Sequence, residues 1–261
     1  MPAPTDPALP AVSITTPTHG RQRLLEKQHA TVLAQSEQDF EWLILDDSPE
    51  PSAYFQKLND PHIRYSHHAG GKLSIGAKRN LLADQASAPV IAHFDDDDYY
   101  APEYLATMLR LLTRHGADIA KFSAWHVYSL PHRQLAYWDT TITRGLMFRM
   151  HMPEPIQPVI VSEQDGKNFE THYAGFGFNY VYRKAAWREA LFPDVSFAED
   201  YGFASAAMAR GFRLAHFPDT EGLCLYIRRA DVLSIAWPQW LLPDFLLPKL
   251  FAPAALELLT P

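Results

Sequence analysis

The chain has 261 residues, 47% of them apolar and 13% aromatic, which suits one large α/β domain with its own core and excludes a disordered chain. Lys and Arg number 23 against 30 Asp and Glu, a formal charge of −7, the wrong balance for gripping a nucleic-acid backbone. The single cysteine, Cys224, forms no internal disulfide and no thiolate zinc site, so a reducing, cytoplasmic setting is expected.

Met1 to Pro10 carries four prolines and lacks the basic-then-apolar order of a signal peptide. Ala11 to Thr16 is a short β-branched run and reads as a buried strand. Apolar residues at Leu24, Leu25, Val32 and Leu33 fit a helix over 20–35. Phe40 to Leu45 reads as a second strand that stops at Asp46-Asp47-Ser48, and His62 to Ser66 as a weaker one. A helix over 74–84 precedes another buried strand, Pro89 to Phe94, which ends in four consecutive aspartates, Asp95 to Asp98. Pro102 to His115 is a helix with proline in its first turn and Gly116 after its end.

Strand and helix therefore alternate over the first 120 residues, which predicts a mostly parallel sheet with helices on both faces. Such sheets bind ligands outside the carboxyl ends of their strands. Thr16 to Thr18, Asp46-Asp47 and Asp95 to Asp98 stand at three of those ends and should converge on one crevice. Further on, Ile119 to Val127 and Gln134 to Trp138 read as strands suited to antiparallel pairing, while 143–178 shows no assignable pattern. Tyr180 to Arg183 leads into a helix near 185–191, and Asp200 to Arg210 is a helix closed by Gly211 before a strand, Phe212 to Phe217. The apolar tail from Leu233 to Leu259 is interrupted by prolines 238, 243, 248 and 253, too often for a spanning helix. It suits packing on its own domain, on a second copy as a homodimer, or peripherally on the inner face of a membrane. One domain, 1–261, is expected: a nucleotide-binding half over 11–120, an acceptor half over 121–232, and the tail over 233–261.

The aspartate run carries the first chemical signal. In an extended segment Asp95 and Asp97 project to the same side, where two carboxylates about 5 Å apart repel by roughly 3 kcal/mol at an effective dielectric of 20. A hard divalent cation such as Mg²⁺ or Mn²⁺ relieves that repulsion and leaves positions open for phosphate oxygens. A solvated turn capping the next helix is the plainer reading, and the position at the end of an apolar strand favours the cation. Asp46-Asp47 suits either a base or ribose contact or an Asx-turn. Gly70 to Asn80 is glycine-rich and basic at a helix start, where backbone N–H groups with Lys72 and Arg79 suit a diphosphate. His62, His67, His68 and His151 show no metal-ligand spacing, and Trp125, Tyr128, Trp138 and Phe176 are candidates for stacking on a sugar ring or for plain core packing.

Taken in order, Pro17-Thr18-His19-Gly20-Arg21, Asp46-Asp47-Ser48, Ile75 to Asn80, and Asp95-Asp96-Asp97-Asp98 followed by three residues and then Pro102 resemble family 2 glycosyltransferases of the GT-A fold. Phe197-Ala198-Glu199-Asp200-Tyr201 and Met208 to Phe212 look like that family's Glu-Asp motif and the helix after it. The resemblance covers roughly 11–229. It implies a mostly parallel central sheet flanked by helices, with a small antiparallel second sheet, and an inverting hexosyltransferase of polysaccharide biosynthesis that takes a nucleotide-sugar donor, UDP-linked above others, and a glycan or other hydroxyl acceptor. Asp97 would ligate Mn²⁺ or Mg²⁺ and Asp95 the ribose or the metal's water shell. Thr16, Pro17, Thr18 and Arg21 would line the nucleotide, with Asp96 beside them. Asp47 would accept from the base, Arg79 would lie near the diphosphate, and Asp200, supported by Glu199, would be the general base.

Two departures accompany the resemblance. Ala230 stands where many members carry a metal-side histidine, leaving Asp231 or His216 as substitutes, and Lys78 precedes Arg79 where small residues are common. A nucleotidyltransferase acting on a sugar phosphate, and a non-catalytic nucleotide- or glycan-binding module, are the competing functions.

Overall fold

The computed structural model describes residues 10–230 and 234–260. Val12–Thr18 (β1), Phe40–Asp46 (β2), Ile63–His67 (β3) and Val90–His93 (β4) run parallel, with Thr18 opposite Asp46 and Ser13 opposite both Glu41 and Ile91. Gln22–Leu33 (α1), the short Ala53–Lys57 (α2) and Ile75–Gln85 (α3) connect them. Every residue of β2 is buried because both faces of the sheet are covered. Trp42 and Ile44 join Leu25 and Val32 of α1 in one layer, whereas the alternate residues Leu43 and Leu45 pack with Leu82 and Ala83 of α3 in the other.

Asp95 to Asp98 lead into a two-residue strand, Tyr99–Tyr100 (β5), and then Tyr104–Arg114 (α4). The long Ile119–Ser129 (β6) forms a hairpin with Gln134–Asp139 (β7), antiparallel as expected. The unassigned stretch holds a separate antiparallel hairpin, Gly145–Arg149 (β8) with Gln157–Val161 (β9), then a helical turn, Glu163–Gly166 (α5), and three 3₁₀ turns. Val181–Arg183 (β10) inserts antiparallel between β4 and β6, followed by Lys184–Glu189 (α6) and Glu199–Ala209 (α7). Leu214–Pro218 (β11) and Cys224–Arg228 (β12) lie parallel to the first and second parts of β6. The strand order is β13-β7-β6-β10-β4-β1-β2-β3, where β13 is Trp240–Leu242 in the tail. The expected mostly parallel sheet with a small second antiparallel sheet is therefore present.

The tail packs on its own domain. Leu247–Leu250 (α8) and Pro253–Leu258 (α9) bury Leu247, Phe251, Ala255 and Leu258 against Tyr99, Leu135, Leu225 and Ile227. Lys27 Nζ of α1 donates to the carbonyls of Glu257 (2.9 Å) and Thr260 (3.0 Å). Phe245 stays 62% exposed. Among the described residues no helix is long and apolar enough to cross a membrane.

Candidate active site

Two connected cavities open at the carboxyl edge of the parallel strands. The smaller, about 270 Å³, is lined by Pro17, Thr18, Arg21, Lys72 and Asp95 to Asp97, among others. The larger, about 840 Å³, extends to Glu199, Asp200, Phe176 and Trp237. Arg21, Lys72, Ile75, Arg79 and Asp95 line both.

The aspartate run is not extended. The chain turns at Asp96 and Asp97, so alternation does not govern which side chains share a side, and Asp96 joins Asp95 and Asp97 in lining the small cavity. Asp96 accepts from Thr18 Oγ1 (2.5 Å) and Arg21 Nη1 (3.2 Å). Asp97 accepts from Arg21 Nη1 (2.6 Å), and Arg229 Nε lies 3.8 Å from it. Arg79 Nη2 donates to both oxygens of Asp95 at 3.1 and 3.3 Å. Asp98 is buried and accepts from the Ile227 N–H (2.8 Å), tying the run to β12. Burial, then the charges of Asp96 and Asp95, push the Asp97 carboxyl up to about 7 against the pull of Arg21 and Arg229. Burial and the charges of Asp97 and Asp95 push Asp98 up as well. A hard divalent cation fits such a site: the donors are carboxylate oxygens, and Arg21, Arg79 and Arg229 relieve their mutual repulsion only in part. Among the described residues no three His, Cys, Asp or Glu gather as a ready ligand set. His216 hydrogen-bonds Ser123 Oγ (3.1 Å), packs on Tyr173 and is not among the residues lining either cavity, while Asp231 lies outside the described residues.

Several expected nucleotide contacts face inward instead. Thr16 Oγ1 donates to the Phe94 carbonyl (2.7 Å) and accepts from Trp42 Nε1 (2.9 Å), so its hydroxyl holds strands together. Asp47 is buried beneath the small cavity. Its Oδ1 accepts from Lys78 Nζ (2.9 Å) and lies 3.0 Å from His19 Nδ1, and its Oδ2 accepts from the Leu73 N–H (2.6 Å). Burial works against its charge, but these donors, Lys78 foremost, hold its carboxyl below the usual range. Lys78 is therefore committed to Asp47 and the Thr18 carbonyl (3.0 Å), whereas Lys72 is exposed and lines both cavities.

Glu199 and Asp200 begin α7, where carboxylates oppose the helix dipole favourably. Ala198 just before them has φ +61°, and Phe176 across the cleft has φ +60°. Left-handed geometry at such residues costs about 1 kcal/mol each, and both positions flank Asp200. The Gly177 N–H donates to Asp200 Oδ2 (2.6 Å), and the Tyr201 N–H to Oδ1 (2.7 Å). A Cβ on Gly177 would stand 2.7 Å from Asp200 Cβ, so only glycine permits this approach. The Gly177 carbonyl lies 2.8 Å from His93 Nδ1, which is 3.0 Å from Arg79 Nη1, and Arg79 Nε reaches Glu199 (3.4 Å). Burial, then Arg79, keeps His93 well below its ordinary pKa and neutral. One chain of contacts thus runs from Asp95 through Arg79 and His93 to Gly177, whose own N–H holds Asp200.

The aromatic candidates divide. Trp125, Trp138 and Tyr128 are buried core residues, as their strand positions allow, whereas Phe176 lines the large cavity. That wall also holds Phe178, Phe197, Tyr201, Tyr226 and Trp237, none of them a ring-stacking candidate from sequence. Phe197 and Tyr201 flank the Glu-Asp pair and were within reach of that motif; Trp237 sits in an apolar tail whose composition gives no such signal.

A parallel sheet with an acidic turn and basic side chains at its carboxyl edge, opening into a second carboxylate-bearing cleft, is the GT-A arrangement of nucleotide-diphospho-sugar transferases. Residues 13–184 match glycosyl transferase family 2, and the chain belongs to that family. WcaA of Escherichia coli (strain K12), assigned as a colanic acid biosynthesis glycosyl transferase, is 30% identical over 154 residues, 55% of this chain and 54% of that protein. The GalNAc(5)-diNAcBac-PP-undecaprenol beta-1,3-glucosyltransferase of Campylobacter jejuni (subsp. jejuni serotype O:2, strain ATCC 700819 / NCTC 11168) is 31% identical over 106 residues, 39% of this chain and 34% of that one. The chain thus spans about half or less of these relatives. Among solved structures, S. aureus TarS 1-349 in complex with UDP-GlcNAc superposes with a TM-score of 0.61 at 18% identity, covering 84% of this chain and 58% of that one. The mannosyltransferase PcManGT from Pyrobaculum calidifontis, in complex with GDP-Man and Mn²⁺, gives 0.57 at 14% identity, covering 84% and 57%.

Proposed function

We propose that the protein transfers a sugar from a nucleotide-sugar donor, UDP-linked, to an acceptor hydroxyl with inversion at the anomeric carbon. The observation that carries this reading is the meeting of Asp95, Arg79 and Lys72 at the junction of two cavities, with Asp97 in the wall of the smaller and Asp200 in the wall of the larger. The structures of TarS 1-349 with UDP-GlcNAc and of PcManGT with GDP-Man and Mn²⁺ support such a donor and a divalent cation.

Asp97, with Asp95, would hold Mn²⁺ or Mg²⁺, which supplies positive charge for the departing diphosphate. Pro17, Thr18, Arg21 and Asp96 form the wall of the donor cavity, and Lys72 presents its ammonium to the phosphates. Arg79 orients Asp95 and Glu199 together. Each oxygen of Asp200 accepts one backbone N–H, and a carboxylate has about four acceptor sites, so it retains capacity for an acceptor hydroxyl. As that hydroxyl oxygen bonds to the anomeric carbon, its proton passes to Asp200, and the electron pair of the breaking C–O bond leaves with the diphosphate. Attack from the face opposite the leaving group gives inversion.

Calorimetry of UDP with and without Mn²⁺ tests the donor side. Affinity should rise at least about tenfold with Mn²⁺, and Asp97→Ala should abolish the increase. Equal affinity in the two conditions would remove the metal from the reading.

A further inference from the structure

Beyond the large cavity lies a groove of about 390 Å³ under the β8–β9 hairpin, and Asn168, His172 and Trp237 line both. The remaining wall includes Val159, Phe169 and Asp165. Trp237 is partly exposed, and its ring is propped by Phe169, which stands at 88° to it with centroids 5.4 Å apart. Its backbone neighbourhood is fixed to the edge of β8: the Met150 N–H donates to the Ala236 carbonyl (2.9 Å) and the Phe148 N–H to the Pro238 carbonyl (2.8 Å). The indole is thereby held in place before any ligand arrives, which lowers the ordering cost of binding.

The polar groups around the indole are of matching kind. His172 Nδ1 is buried with no hydrogen-bond partner among the described residues. Burial, reinforced by Lys121, keeps that imidazole below its ordinary pKa and so favours the neutral ring. Asn168 and Asp165 are exposed at the rim. An aromatic face beside an amide, an imidazole and a carboxylate complements a pyranose, which has an apolar C–H face and a rim of hydroxyls that both donate and accept. The Asp165 carboxylate disfavours the other apolar candidate, a prenyl phosphate, by like-charge repulsion.

We infer that Trp237, His172, Asn168 and Asp165 form a second saccharide subsite, so that the acceptor is a glycan of at least two sugars. This rests on the transferase reading: the terminal sugar offers its hydroxyl to Asp200 in the large cavity, and the next ring lies along the Trp237 indole. The chemistry at Asp200 needs only the first ring, so the groove sets the length of acceptor preferred rather than the reaction.

The test is direct binding of a panel of defined mono-, di- and trisaccharides to the immobilised full chain, with and without UDP and Mn²⁺. At least one di- or trisaccharide should bind about tenfold more tightly than its own terminal monosaccharide. Trp237→Ala should erase that gain, and Asn168→Ala, at an exposed rim position, should reduce it about threefold, with UDP affinity and melting temperature serving as folding controls. A panel in which no second ring adds affinity, or a gain that survives Trp237→Ala, overturns the subsite. Farnesyl monophosphate is the contrasting probe: Trp237-dependent binding of that lipid, with no gain from a second sugar, also overturns it in favour of a lipid carrier. A length-dependent gain without any UDP binding would instead sustain the subsite and remove the transferase reading.

Discussion

Glu41 and Asp97 are carboxylates at opposite edges of the same parallel sheet, and their surroundings push them in opposite directions. At the amino edge, Glu41 accepts from Ser13 Oγ (2.6 Å), from the Ser87 N–H (2.6 Å) and hydroxyl (2.7 Å), and from Arg64 Nη1 (3.0 Å). Burial alone would raise its pKa, but these donors hold it below the usual carboxylate range. At the carboxyl edge, burial and two neighbouring carboxylates overcome Arg21 and Arg229 and leave Asp97 raised to about 7. Donors saturate the first group and fall short for the second. The amino edge is finished by folding, whereas the carboxyl edge keeps an electrostatic deficit that a bound cation would relieve.

If the two edges divide this way, mutations should separate chemistry from stability. The largest effect is expected at Asp200: Asp200→Asn should lower sugar transfer by about 10²- to 10⁴-fold while UDP affinity in calorimetry stays within about twofold. A loss of UDP binding of equal size would merge the two roles. Next is Glu41→Ala, which strands the buried Ser13 hydroxyl and takes the acceptor from the partly buried Ser87 N–H. It should cost about 3 kcal/mol in urea unfolding, with transfer by the folded enzyme unchanged.

Asp97→Asn should go the other way. Removing one of the crowded charges should stabilise the fold by about 1 kcal/mol, seen as a rise in Tm of a few degrees, while Mn²⁺-dependent UDP binding falls. A drop in Tm would mean that its contact with Arg21 outweighs the repulsion from Asp96 and Asp95.

The smallest effect sharpens the comparison by pH. The folded-state pKa of Glu41 lies below its unfolded value, so its share of stability is complete above roughly pH 5 and is lost as pH falls through the lowered value. The stability gap between wild type and Glu41→Gln should therefore be flat from about pH 5 to 8 and close below about pH 4. A gap that widens in acid would reverse the sign.

Local pattern was enough for the first half of the chain. Buried β-branched and aromatic runs at 12–18, 40–46 and 90–93 specify parallel strands, Ser74 caps α3 by accepting from the Ala77 N–H (3.0 Å), and polar residues terminate three strands at one edge. Those features, with the order of the motifs, also brought Arg21, Lys72, Arg79, Asp95, Asp97 and Asp200 together as candidates. Helix and strand periods arise from near neighbours in sequence, so a sequence displays them directly.

Partners distant along the chain are what only the tertiary structure decided. The turn at Asp96–Asp97 is fixed by Thr18, Arg21 and the Ile227 N–H, which lie 75 to 129 residues away from the groups they hold. Asp47 was readable as a polar strand end, but Lys78 and Leu73 turned it into a buried anchor. Trp125 and Trp138 looked no different from Trp237 as letters, yet strand pairing buried the first two and the β8 edge left the third facing the cleft. Exposure is a property of what packs on a side chain, and for these residues that packing comes from elements dozens of residues away.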